Sequence, residues 1–211
     1  MTVAALRAET RAYGRARLRE LALDATRDLV LERGWSAVRM GAVAAAVGVS
    51  RQSLHAEFGT KDELGSALVA REAETFFEGA RERLYRHPGD LAGAVRDAGR
   101  FMLSATAENP LLQTILTRAP VDGDTSLLPL LTTRGEPLIS RADEFLGQWV
   151  DEQWPDLDAE AAALMVETVV RLALSHILIP AESAERTADN LARVACRCVG
   201  FDDPGAGAAS G

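Results

Sequence analysis

The stretch Ser50-Arg51-Gln52-Ser53-Leu54-His55 gathers side chains suited to reading a patterned polar edge. An arginine fork matches the two acceptors of guanine, a glutamine amide matches the donor and acceptor of adenine, and a serine hydroxyl serves either. His55 adds a polar ring with a titratable nitrogen. In a helix capped by the Ser50 hydroxyl, Arg51, Gln52, Ser53 and His55 fall at or near the exposed N-terminal half, and Leu54 turns inward. A helical turn with a merely solvated polar face has the same pattern, so the stretch alone leaves both readings open. Covalent chemistry has little material: no GxSxG, HExxH, phosphate-loop or dinucleotide glycine motif occurs, and three histidines with two cysteines make a poor catalytic set. No catalytic residue and no cofactor are expected. Cys196 and Cys198 stand two apart in a helical segment and point to different sides. Without a second cysteine pair or a nearby histidine they make no zinc site, so no metal is expected and buried thiols are the simpler reading.

The elements that must position these residues read as helices throughout. Leu18, Leu21, Ala22, Ala25 and Leu29 recur at helical spacing and stop at Arg33-Gly34. A short helix over 40–47 follows, Gly48 reverses the chain, and a third helix covers 50–57. Val43, Val47 and Leu54 are apolar where the short helices pack on the first, and Ala44 and Ala45 are small enough for close approach. Thr60-Lys61-Asp62-Glu63 has capping-box spacing and predicts a long helix over 61–84. Further helices are expected over 91–107, 111–117, 130–153 (bent near Pro137), 159–179 and 184–199. The stretch 119–129 reads as the least structured interior segment, and the Gly- and Ala-rich tail from Asp202 as disordered. No strand alternation and no repeat appear. The expected fold is therefore all-α with about nine helices. An N-terminal arm and a tri-helical helix-turn-helix domain would occupy 1–60, a larger helical domain 61–200, and a disordered tail 201–211.

The residues from Ala22 to Leu68 resemble the N-terminal domain of the TetR family of transcriptional regulators. The resemblance rests on Leu31-Glu32-Arg33-Gly34-Trp35, on Val43-Ala44-Ala45-Ala46-Val47-Gly48-Val49-Ser50, on Arg51-Gln52-Ser53-Leu54-His55, and on Phe58-Gly59-Thr60-Lys61-Asp62-Glu63-Leu64. It covers the first third of the chain, where spacing and residue type agree throughout. It implies that Ser50, Arg51, Gln52, Ser53 and His55 face the major groove, that Lys61 contacts phosphate at the start of the fourth helix, and that Phe58 is core. Three positions depart from the family's habit. His55 stands where tyrosine is usual. Glu57 sits close to where phosphate is expected, so it turns away or orients a basic neighbour. Arg39 replaces a small hydroxyl residue that caps the second helix, leaving either a phosphate contact or a weaker cap. The N-terminal arm, Arg7 to Arg19, either reaches the minor groove or adjacent phosphates or is disordered, solvated charge.

A net charge of −8 looks wrong for a partner of nucleic acid, but its distribution does not. Residues 1–61 hold ten Lys/Arg and six Asp/Glu, a balance of +4; the remaining 150 hold thirteen and twenty-five, a balance of −12. A basic head that meets phosphate and an acidic body that avoids it fit these numbers.

In this family the remainder is a divergent helical domain for ligand binding and dimerisation. The segment 159–179 suits an interface, with Met165, Val169, Leu172, His176 and Ile179 in one row and Val166, Val170, Ala173 and Ile177 in another; Leu191, Val194, Ala195 and Cys198 make a similar seam. Candidate lining for a small-molecule site is Phe101, Met102, Leu112, Ile115, Leu116, Phe145, Trp149 and Val169, with His176, Gln113, Thr114 and Thr117 as polar handles. Plain core is the alternative for most of these. So few acidic and aromatic residues favour a fatty acid-like effector over a cationic drug. The expectation is a ligand-responsive repressor that binds a near-palindromic double-stranded DNA operator as a homodimer and is released by a small hydrophobic effector. An activator, or an efflux-type regulator sensing a drug-like compound, is the alternative, and an architectural helical module the reading without sequence-specific contact. No stretch approaches the roughly 18 apolar residues of a membrane span, and no apolar signal core follows the N-terminal arginines, so no membrane partner and a cytoplasmic location are expected.

Overall fold

The computed structural model describes residues 2–117, 127, 129 and 135–202. Among them are nine α-helices and no strand: α1 (Val3–Arg33), α2 (Met40–Ala46), α3 (Arg51–Phe58), α4 (Lys61–Leu84), α5 (Leu91–Glu108), α6 (Pro110–Thr117), α7 (Glu136–Gln153), α8 (Ala159–Leu178) and α9 (Ala184–Val199). A 3-10 turn, Trp35–Ala37, links α1 to α2. The stretch expected to be least structured lies outside the described residues except for Leu127 and Pro129, and so does the tail beyond Asp202. Helix α7 begins at Glu136 with Pro137 in its first turn, so the proline starts the helix instead of bending it.

The chain divides into two compact units, Met1–Glu72 with Pro110–Leu130, and Ala73–Asn109 with Leu131–Gly211. This division differs from the expected break at residue 60 because the first part of α4 is packed into the N-terminal unit. There Arg71 reaches the Asp24 carboxylate at 2.8 Å and Arg27 reaches Glu72 at 3.4 Å. Helix α6 also joins this unit by packing on α1.

The core of the N-terminal unit contains Leu23, Val30, Val43, Leu54, Leu64 and Leu68. The inward face of α1 carries Ala22, Leu23, Thr26 and Val30, not the expected row through Leu21, which is 37% exposed. Thr26 is fully buried and satisfies its hydroxyl by donating to the Ala22 carbonyl at 2.6 Å. At the start of α4, a Cβ on Gly65 would lie 2.8 Å from the Trp35 ring and 2.8 Å from Leu127, so glycine lets this helix press onto both.

The second unit is a helical bundle whose core includes Leu84, Val95, Trp149, Val150, Met165 and Leu191. Helices α5 and α9 approach closely through small residues, with Ala94 and Ala98 on one and Ala188, Ala192 and Ala195 on the other. Helix α8 corrects one expectation: its 20 residues are long and apolar enough to cross a membrane by length and composition. In the bundle it is a packing helix, with Ala162, Met165, Val166 and Val169 buried. Its other side leaves Leu164 56% exposed, and Ile179, just past its end, is 76% exposed.

Candidate nucleic-acid interface

Helices α1, α2 and α3 build the tri-helical unit from the residues upward. Val43, Ala44 and Leu54 are buried, as expected of the packing face, but Val47 is only half-buried and Ala45 is exposed. In a helix this short the face that carries Met40, Val43 and Ala44 leaves the neighbouring Ala45 outside. Gly48 adopts φ +73°, a left-handed conformation that the reversal between α2 and α3 requires. The Ser50 hydroxyl accepts the Ser53 backbone N–H at 3.0 Å, capping α3 as expected. Leu54 and Phe58 anchor α3 to the core, and Arg51, Gln52, Ser53 and His55 are all exposed.

Two of these side chains are pre-organised. Arg51 Nε donates to His55 Nε2 at 3.3 Å, and His55 Nδ1 lies 2.6 Å from the Gly59 carbonyl. A neutral ring with its proton on Nδ1 satisfies both contacts, so His55 ties Arg51 to the end of its own helix. Ser50 and Ser53 hydroxyls lie 2.9 Å apart.

Arg39 and Lys61, twenty-two positions apart in sequence, meet at one carbonyl. Arg39 Nη1 donates to Ser36 O and also to Val38 O at 3.0 Å. Lys61 Nζ donates to the same Ser36 O at 3.4 Å and stands 4.7 Å above the centre of the Trp35 ring. Arg39 makes no side-chain cap on α2, so the missing hydroxyl leaves the weaker cap. Beside Lys61 the expected capping box is formed: Glu63 N donates to Thr60 Oγ at 3.2 Å and Thr60 N to Glu63 Oε2 at 2.7 Å. The Thr60 backbone N–H, and then its hydroxyl, hold the Glu63 carboxyl below the usual glutamate range.

Glu57 does orient basic neighbours. It receives Arg19 at 3.4 Å and Arg15 at 3.9 Å, and Arg19 also stacks 5.0 Å from the centre of the Phe58 ring. These partners lie 38 and 42 residues away, and no local pattern pairs them. The basic run Arg7 to Arg19 is not an irregular arm. It is part of α1, which starts at Val3 with Thr2 accepting from Ala5 N at 3.4 Å. Thr2 ahead of an alanine-rich run is the start signal the sequence offers.

The expected effector lining is divided between the two units. Leu112 and Ile115 are core of the N-terminal unit, because α6 packs on α1, and Leu116 lies on α6 with its side chain outside the described residues. Thr114 on the same helix donates to Pro110 O at 2.8 Å. Trp149 and Val169 are buried in the second unit, with Phe101, Met102 and Phe145 half-buried against its core. The Phe101 ring covers the backbone of Gly79, and the Arg83 guanidinium lies 3.6 Å from its centre. His176 is half-buried on α8. Of the expected interface rows, Met165, Val166, Val169, Leu191 and Ala195 are consumed by the core of their own unit. Val194 and Cys198 stay half-buried and Ile179 exposed.

Comparison with known proteins agrees with this geometry. Residues 22–68 match the family described as bacterial regulatory proteins, tetR family, and residues 90–197 match the bacterial tetracyclin repressor C-terminal domain. The HTH-type transcriptional regulator AlkX of Mycobacterium tuberculosis is 33% identical over 180 residues, 85% of this chain and 84% of that protein. The crystal structure of the TetR family repressor AlkX from Dietzia sp., implicated in biodegradation of n-alkanes, superposes with a TM-score of 0.70 at 32% identity. It covers 85% of this chain and 96% of that one. The R. erythropolis repressor QsdR shares the fold, with a TM-score of 0.62 at 19% identity over 89% of this chain and 97% of that one. With a helix-turn-helix of this build and matches across both parts of its length, the chain belongs to the TetR family of bacterial transcriptional regulators.

Proposed function

We propose that the chain is a ligand-responsive repressor that binds a near-palindromic operator as a homodimer and releases it when a small apolar effector enters the second unit. The observation that carries the DNA contact is the exposed, capped N-terminal half of α3, with Arg51, Gln52, Ser53 and His55 outside and Leu54 beneath. Arg51 and Gln52 read base edges; Ser50 and Ser53 support them at edges or phosphates. Arg39 and Lys61, gathered at Ser36 O, hold a flanking phosphate. Exposed Leu164 and Ile179 supply apolar surface for the second copy. Two copies double the base pairs read and match a palindrome's symmetry. A DNA-binding regulator of this kind works in the bacterial cytoplasm.

The effector reading rests on Phe101, Met102 and Phe145, half-buried around the core, with His176 as the polar handle. The Dietzia AlkX, implicated in n-alkane biodegradation, favours a long-chain effector such as a fatty acid or acyl derivative. Binding to one of two conformers then shifts the population away from the DNA-competent one.

A mobility shift with the DNA flanking its own gene tests both parts. Wild-type protein is expected to bind a discrete site. The R51A/Q52A variant should lose roughly thirtyfold or more, since the two bidentate base contacts are together worth about 2–6 kcal/mol. Equal binding by the variant refutes the assigned recognition helix. Long-chain fatty acid is expected to release the DNA. Release by a cationic compound and not by lipid assigns the efflux-type alternative, and transcription raised by the DNA-bound protein assigns an activator.

A further inference from the structure

The stretch of α1 from Ala5 to Arg17 is a helix that buries no face of its own. Every residue from Ala5 to Arg17 is exposed. A helical segment of that length is marginal in water, and this one, whose only large apolar side chains, Leu6 and Tyr13, are themselves exposed, calls for a partner or a web of ion pairs. Its own charges oppose such a web. Arg7, Arg11 and Arg15 recur every fourth residue, Arg17 lies alongside, and Glu9 is the single acid in this stretch. Like charges at that spacing repel. Arg7, Arg11 and Arg17 have no hydrogen-bond or ion-pair partner among the described residues, whereas Arg15 and Arg19 are held by Glu57.

That latch also says where the extension sits. Glu57 lies in the last turn of α3, and the eight residues of α3 span about 12 Å. The Arg15 guanidinium is therefore held at the other end of α3, one short helix away from the base-reading turn, with Arg11 and Arg7 a further one and two turns along α1. We infer that the α1 extension is a second DNA-binding element, in which Arg7, Arg11 and Arg17 pair with backbone phosphates flanking the base pairs under α3. The inference rests on the DNA-binding reading of α3 given above. Charge decides the occupant. Phosphate removes the repulsion between the arginines and fits guanidinium forks, while a second copy of this same basic helix would add to it. Glu57 is then a positioning residue: it fixes the root of the extension against α3.

Fluorescence anisotropy of the full chain on the DNA flanking its gene, repeated over a series of KCl concentrations, tests this. For R7A/R11A/R17A, the slope of log K against log salt is expected to flatten by about 2–3, at roughly 0.9 per lost phosphate contact. The melting temperature is expected to stay that of the wild type, because all three side chains are exposed. Trimming the duplex flanks is expected to weaken wild type towards the variant and to leave the variant unchanged. A variant with wild-type affinity and slope overturns the inference. So does an unchanged slope with a reduced mass in light scattering, which assigns the extension to a second copy. Wild-type protein that binds no DNA at any salt concentration overturns the reading of α3 and this inference with it.

Discussion

At the scale of single residues, the departures from family habit have physical explanations. His55 holds Arg51 through one ring nitrogen and the Gly59 carbonyl through the other, a two-sided contact that the single oxygen of a phenol cannot make. Glu57, a carboxylate close to where phosphate is expected, is neutralised by Arg15 and Arg19. A different residue carries a cost. Asp143 on α7 has a buried Oδ1 without a hydrogen-bond partner, and burial pushes its carboxyl above the usual aspartate range, against a smaller opposing pull from Arg171. A raised folded-state pKa means that the native protein holds this proton more tightly than the unfolded chain does. Stability from this group therefore falls as pH rises from the ordinary aspartate value through the raised one. Asp143→Asn is expected to raise the melting temperature at pH 7, and the gain should vanish below about pH 4, where the unfolded carboxyl is also protonated. Thermal melts of both proteins across that range measure it; a variant that melts lower at pH 7 contradicts the assignment.

At the scale of elements, the ends of the helices are legible in the sequence because local chemistry sets them. Ser50 and the Thr60/Glu63 box start α3 and α4 where their side chains can cap them, and Pro110 opens α6. The extent of α1 is not legible from hydrophobic periodicity, because the residues from Ala5 to Arg17 bury nothing. The buried face of α1 escapes periodicity for a related reason: Leu21 and Leu23 are equally apolar, and only the position of the helices packed on α1 chooses between them. Glycines sort in the same way. Gly65→Ala would drive a Cβ to 2.8 Å from the Trp35 ring, and a loss of roughly 1–3 kcal/mol is expected. At Gly147 on α7 a Cβ would meet nothing within 4 Å, and Gly147→Ala is expected to stabilise by about 0.4–1 kcal/mol. Urea denaturation of both variants checks the contrast, and a Gly65→Ala protein as stable as wild type would contradict the close packing.

At the scale of the whole molecule, charge and apolar surface are distributed unequally. The +4 of residues 1–61 and the −12 of the rest let an acidic protein present a basic face to DNA. The apolar residues left outside the second unit's core are the surface proposed for the second copy. Leu164→Glu with Ile179→Glu is expected to convert a dimer in solution to a monomer, read by light scattering, and to cost operator affinity through the lost second half-site. A doubly substituted protein that remains dimeric would place the interface on another surface.

The sequence by itself determined the all-α class, the helix-turn-helix, the caps and the residues of α3 that face outward. Each of these depends on contacts within a few positions of chain. Only the tertiary structure decided that Arg39 and Lys61 converge on Ser36 O, that Glu57 latches Arg15 and Arg19, that α6 belongs with α1, and that Met165 and Leu191 are spent on their own core. These are meetings of residues distant in sequence. They depend on how packed helices share their faces, and apolar spacing along one helix does not say which neighbour will cover it.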